Sequence, residues 1–136
     1  MSIRVMDGED EMAIIDGFEF EPVDASALVS VVRRLAEQNS DFVYIPESGV
    51  GGACLYTHSD GEPGCIIGCG LAEMGISIPH NSELNRMTGV DSLCEQGIIQ
   101  VTDPRVRHWL CGVQSCQDSA LSWGKSVEST DDSFND

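Results

Sequence analysis

The stretch Cys54-Leu55-Tyr56-Thr57-His58-Ser59-Asp60-Gly61-Glu62-Pro63-Gly64-Cys65-Ile66-Ile67-Gly68 gathers the residue types most able to do chemistry. A strand, a glycine-containing turn and a helix start in that order would aim free backbone N–H groups at one point, the arrangement that holds phosphate or carboxylate. The candidate binding residues are therefore Tyr56, His58, Asp60, Gly61, Gly64 and Cys65, with Arg105 and Arg107 as guanidinium donors if the last helix packs beside the turn. The plainer reading, a tight turn followed by a packed helix, is favoured. No Lys-Ser or Lys-Thr pair follows the glycines, and Gly68-x-Gly70 is too short for a dinucleotide fingerprint.

Two other chemistries can be drawn on the same residues. Cys65 and Cys69 share a helical face, and His58 or Cys54 would complete a metal site across the turn. Cys111 and Cys116 are five apart and fall on different faces, so buried reduced thiols are the better reading, and no metal or other cofactor is expected. A Cys65, His58 and Asp60 constellation would suit nucleophilic catalysis. However, neither Gly-x-Ser-x-Gly nor His-Glu-x-x-His is present, so the chain is expected to bind rather than catalyse.

Charge narrows the partners. The 136 residues include 23 acids against seven Lys and Arg, a formal charge of −16. That field repels phosphate backbones and anionic lipid heads, which disfavours direct nucleic-acid or membrane-surface binding. Residues 1–24 hold Asp7, Glu9, Asp10, Glu11, Asp16, Glu19, Glu21 and Asp24 against Arg4 alone. By contrast, Arg86, Arg105 and Arg107 balance Asp91, Glu95 and Asp103. A local anion site is conceivable there. No apolar run is long enough for a membrane span and no basic-then-apolar leader opens the sequence, so a cytoplasmic location with reduced thiols is expected.

The elements that would position these residues are those of one α+β domain, since a chain of this length supports one core. Residues 1–23 read as an acidic arm with one or two short strands, residues 24–128 as the globular domain and residues 129–136 as a disordered acidic tail. Leu28, Val31, Val32 and Leu35 recur at helical spacing, with Asp24 as N-cap and Asn39-Ser40 as the stop. Phe42-Val43-Tyr44-Ile45 and Ala53-Cys54-Leu55-Tyr56-Thr57 read as a hairpin over about 42–58. Pro63 is placed to open a helix from about Gly64 to Met74, ended by Gly75. Short helices are expected at 82–87 and 91–96. Asp103-Pro104 starts the clearest helix, whose stripe of Val106, Trp109, Leu110, Val113 and Ala120 carries it to about Trp123. Three to five helices would thus cover a short hairpin.

The Phe42-Val43-Tyr44 strand, the Cys54-x-Tyr56 to Gly68 segment and Gln114-x-x-Gln117-Asp118 with Trp123-Gly124-x-x-Val127 resemble a recurrent type of uncharacterised small protein encoded by actinobacteria and their phages. The resemblance spans about residues 28–128 and carries no catalytic residues. It implies a phage or prophage source, where small acidic proteins often bind and disable a host component. Capture of a host protein is the leading expectation, with the exposed part of the glycine-rich turn and the acidic arm as its surface. Sequestration of a small anionic nucleotide signal and acidic mimicry of nucleic acid are the alternatives. Nothing in the sequence fixes the oligomeric state.

Overall fold

A computed structural model describes residues 13–15, 18–45, 55–80, 85 and 89–134, with the strands at 13–15 and 18–20 given by their backbone alone. The fold is α+β. In chain order it runs β1 (Ala13–Ile15), β2 (Phe18–Phe20), β3 (Val23–Asp24), α1 (Ala25–Gln38), α2 (Ile66–Glu73), α3 (Val90–Glu95), β4 (Ile99–Gln100), α4 (Pro104–Asp118) and α5 (Trp123–Phe134). β1 and β2 pair antiparallel, with Ala13 opposite Phe20. β3 and β4 pair parallel, with Val23 opposite Ile99. Residues 1–12 of the acidic arm, the connection at 46–52, Ala53 and Cys54 of the expected second strand, Arg86 and most of the helix expected at 82–87 lie outside the described residues.

α1 forms where its stripe demands it. Asp24 accepts a 3.0 Å hydrogen bond from the Ala27 amide as N-cap, and Leu28, Val32, Leu35 and Ala36 are buried. Against them pack Ile66, Ile67 and Leu71 of α2, Leu93 of α3 and Trp109, Leu110 and Val113 of α4, which form one core. Gly70 lets α2 approach α1 closely, since a methyl group there would press on Leu28 and Val32. Trp109, as its stripe predicts, is only 5% exposed.

Among the described residues, the segments of the hairpin expected at 42–58 pair elsewhere. Residues 55–57 fold back on 63–65: Thr57 bridges Pro63, the Gly64 amide bonds the Tyr56 carbonyl at 2.9 Å and the Cys65 amide bonds the Leu55 carbonyl at 3.0 Å. The tight turn at Asp60-Gly61 lies between these two segments and sets them side by side. Val43 instead bridges Ser122 in antiparallel fashion. Pro63 precedes the helix rather than opening it, and Cys65 holds the N-cap position of α2.

The long last helix is also two helices. α4 stops at Asp118 because Ala120 takes a left-handed φ of 72°. There the Ala120 amide bonds the Gln117 carbonyl and the Leu121 amide bonds the Cys116 carbonyl, the paired closure of a Schellman motif. Alanine fills a position that usually goes to glycine, which is why the break carries no sequence mark. The expected disorder after residue 128 is likewise replaced, through Phe134, by the end of α5. Asp131 accepts two 2.8 Å hydrogen bonds from the Arg33 guanidinium and one of 2.8 Å from the Trp109 indole. Arg33 lies over the Trp109 ring at 4.6 Å, and Thr130 is buried where Gly112 of α4 admits it. These contacts tie the helix end to the core.

Candidate functional site

The turn that carries most of the predicted site residues is built around Tyr44. Its hydroxyl accepts the Leu55 amide at 3.1 Å and lies 3.0 Å from His58 Nε2. From His58 the chain reverses: the His58 amide bonds the Glu62 carbonyl at 2.9 Å, the Gly61 amide bonds the His58 carbonyl at 2.9 Å, and Asp60 Oδ1 accepts the Glu62 amide at 2.9 Å. Gly61 supplies the φ of 87° that this reversal requires. Gly64 and Gly68 are needed for a different reason. A Cβ on Gly64 would overlap the Leu55 carbonyl, and one on Gly68 the Tyr56 carbonyl.

The amides that an anion cradle at the start of α2 would use are filled from within the protein, in line with the favoured reading of a tight turn followed by a packed helix. The Gly64 and Cys65 amides bond Tyr56 and Leu55, and the Ile66 amide donates to Gln117 Oε1 at 2.7 Å. Because a backbone amide can only donate, the Gln117 carboxamide must present its oxygen here. That oxygen also accepts the Trp123 indole at 3.3 Å, while Gln117 Nε2 donates to Asp118. Gln114 does the same for α3: its Oε1 accepts the Val90 amide at 3.2 Å and its Nε2 donates to the Tyr56 hydroxyl. Asn85 clamps Thr57, accepting its amide at 2.7 Å and donating to its carbonyl at 2.8 Å. Three buried carboxamides thus supply partners to backbone groups, the requirement that any buried polar group imposes.

Of the predicted binding residues, Tyr56, Gly64 and Cys65 are buried, His58 is half-buried, and Asp60 and Gly61 are exposed at the tip. Arg105 and Arg107 sit elsewhere. They precede Gln117, whose side chain bonds the start of α2, by twelve and ten positions, which at the helical rise places their backbones about 18 and 15 Å from Gln117 along α4. Arg105 engages Asp103 at 3.1 Å, and Arg107 engages Asp91 and Glu95. The Arg107 contact holds the Asp91 carboxyl below its ordinary range.

The thiols lie within the same pattern. Burial, reinforced by a hydrogen bond to Asp91, pushes the Cys111 thiol up to about 11, and burial pushes Cys94 up as well. Both are held as neutral thiols near pH 7, the unreactive form. Cys69 Sγ donates to the Gly64 carbonyl at 3.5 Å, and Cys54 lies outside the described residues. Among the described residues no group of three His, Cys, Asp or Glu side chains is placed to hold a metal ion, and no helix is long and apolar enough to cross a membrane.

A second feature lies beyond Tyr44. Residues 42–45 are joined to the start of α5: the Trp123 amide bonds the Phe42 carbonyl at 2.8 Å and the Gly124 amide bonds the Ser40 carbonyl at 3.0 Å. Alternation along this segment turns Tyr44 inward and leaves Val43 and Ile45 on the outer face. Phe42 meets the Trp123 ring edge-on at 4.7 Å yet remains 45% exposed; Val43 is 40%, Ile45 75% and Leu121 37% exposed. Among the described residues these four are the exposed large hydrophobic side chains, and the Val43–Ser122 bridge sets residues 42–45 alongside Leu121, so that all four border one edge of the fold, with Val43 and Ile45 on its outer face. Beside them runs a shallow groove of about 310 Å³ lined by Ser40, Asp41, Ser122, Gly124, Lys125 and Glu128. A larger open groove of about 590 Å³ lies at the other end of α1, but its Asp24 carboxylate is the α1 cap and its Glu21 is exposed.

Sequence reasoning assigned Phe42 to Ile45 to a hairpin covered by helices, and it gave Gln114 and Gln117 no structural role and left Asn85 out. A signal for the two glutamines exists: Gln114 and Gln117 continue the apolar stripe of Leu110 and Val113 at helical spacing, where a polar side chain must find partners inside. No protein-family model, curated protein or solved structure matches the chain.

Proposed function

We propose that the protein acts by binding and captures a protein partner on the surface formed by Phe42, Val43, Ile45 and Leu121. The observation that carries this reading is that the exposed large hydrophobic side chains of the described residues all lie within residues 42–45 and at Leu121, along the edge joined by the Val43–Ser122 bridge. Scattered apolar residues are normal on a surface, but a clustered set with a polar border is the anatomy of an interaction site. The acidic border here comprises Asp41 and Glu128. The occupied amides at the α2 start argue in the same direction, away from an anion cradle. If the source is a phage, as the resemblance implies, the partner belongs to the host and is met in its cytoplasm.

The test compares the wild-type chain with an Ile45→Ser, Leu121→Ser double variant in capture from host lysate. Both positions are exposed, so the variant should melt at nearly the wild-type temperature while recovery of the partner falls about ten-fold or more. Equal capture by the two proteins would overturn the reading. Stoichiometric release of a nucleotide on heating, with no protein partner, would replace it with small-molecule sequestration.

A further inference from the structure

We infer that the partner presents an apolar segment flanked by basic residues; this deepens, and rests on, the reading of the apolar surface as the binding site. Three of the four exposed apolar side chains, Phe42, Val43 and Ile45, stand on one short segment, and Leu121 lies beside it. Their border is acidic. Asp41 directly precedes Phe42, Asp118 lies three residues before Leu121, and Glu128 lines the adjoining groove; all three are exposed. The cation lining that groove is Lys125, whose Nζ already faces Glu128 at 3.7 Å. The border therefore keeps a net negative charge within an overall charge of −16.

This charge discriminates among occupants. A second copy of the chain would bring another −16 against the first, and the first 24 residues, with eight acids to one arginine, would meet like charge at the border. Juxtaposing like charges at an interface is costly, whereas complementary charge speeds encounter and selects partners. An apolar centre with lysine or arginine on either side satisfies both the patch and its border.

The experiment measures binding of fluorescent peptides to the full chain by anisotropy. The probes are a peptide of four apolar residues between two lysine pairs, its glutamate-flanked counterpart, and a lysine-flanked serine–glycine peptide. The lysine-flanked apolar peptide is expected to bind about ten-fold more tightly than the glutamate-flanked one, with the gap closing as salt rises from about 0.05 to 0.5 M. The serine–glycine peptide should bind far more weakly. Ile45→Ser should weaken the apolar peptides, and Asp41→Asn with Glu128→Gln should weaken the lysine-flanked apolar peptide selectively.

Equal binding of the two apolar peptides, both lost on Ile45→Ser, would overturn the basic partner while sparing the patch. Binding indifferent to Ile45→Ser would overturn the patch itself. A dimer at high salt that Ile45→Ser dissolves would assign the surface to a second copy and overturn the inference.

Discussion

The turn at residues 55–66 and the edge at residues 42–45 meet through one side chain, Tyr44, and they divide the work in opposite ways. The turn holds the histidine, cysteine, aspartate and glycines that suggest chemistry, and its backbone groups are matched inside the fold: Gly64 with Tyr56, Cys65 with Leu55, and Ile66 with Gln117. The edge holds β-branched and aromatic residues that suggest a core, and it leaves Val43 and Ile45 in solvent. Reactive residue types can thus be consumed by folding, and a binding surface can be made from residues that read as interior.

The sharpest way to break this contrast is to disturb the turn. Gly68→Ala drives a methyl group into the Tyr56 carbonyl, and because backbone rather than a flexible side chain must move, the expected loss is about 3 kcal/mol or more. Chemical denaturation reads it, and a near-neutral result would show that the turn is looser than described. Next in size is Gln117→Met, which keeps the side-chain volume but strips the acceptor from the Ile66 amide and the Trp123 indole. Leaving two buried donors unmatched should cost about 2–3 kcal/mol. A cost no larger than that of an exposed substitution would mean that water or another group serves those donors.

Two smaller effects sharpen the description of the edge. Ala120→Gly relieves the left-handed backbone that ends α4 and turns the chain toward Leu121, and should raise stability by about 1 kcal/mol. Destabilisation would show that the alanine is not strained. Smallest of all, Ile45→Ser should change unfolding free energy by no more than about 0.5 kcal/mol. A loss of several kcal/mol would place Ile45 in the core.

Much of the helical layout was legible because amphipathic stripes and caps are local. Leu28 to Leu35 with Asp24, and Trp109 to Val113 with Asp103, mark α1 and the start of α4, and Gly75 and Gly97 mark stops by the positive φ they adopt. The parallel pairing of Val23 with Ile99 was not legible, since two residues 76 positions apart leave no periodic trace. Nor was the split between α4 and α5, where alanine stands in the place of glycine. The end of α5 read as disordered because its composition is polar. What orders it is a long-range contact, Asp131 with Arg33 and Trp109, that composition does not encode. For the site, the exposure of Ile45 was not legible, because it depends on what Val43 pairs with.

The central claim is that partners meet the edge and not the turn. Photocrosslinking tests it most directly, with p-benzoylphenylalanine placed in the full chain at Ile45 in one protein and at Asp60 in another, both positions being exposed. Illumination in host lysate should give a discrete protein adduct from position 45 and none from position 60. An adduct from position 60 alone would contradict the account and return the function to the turn.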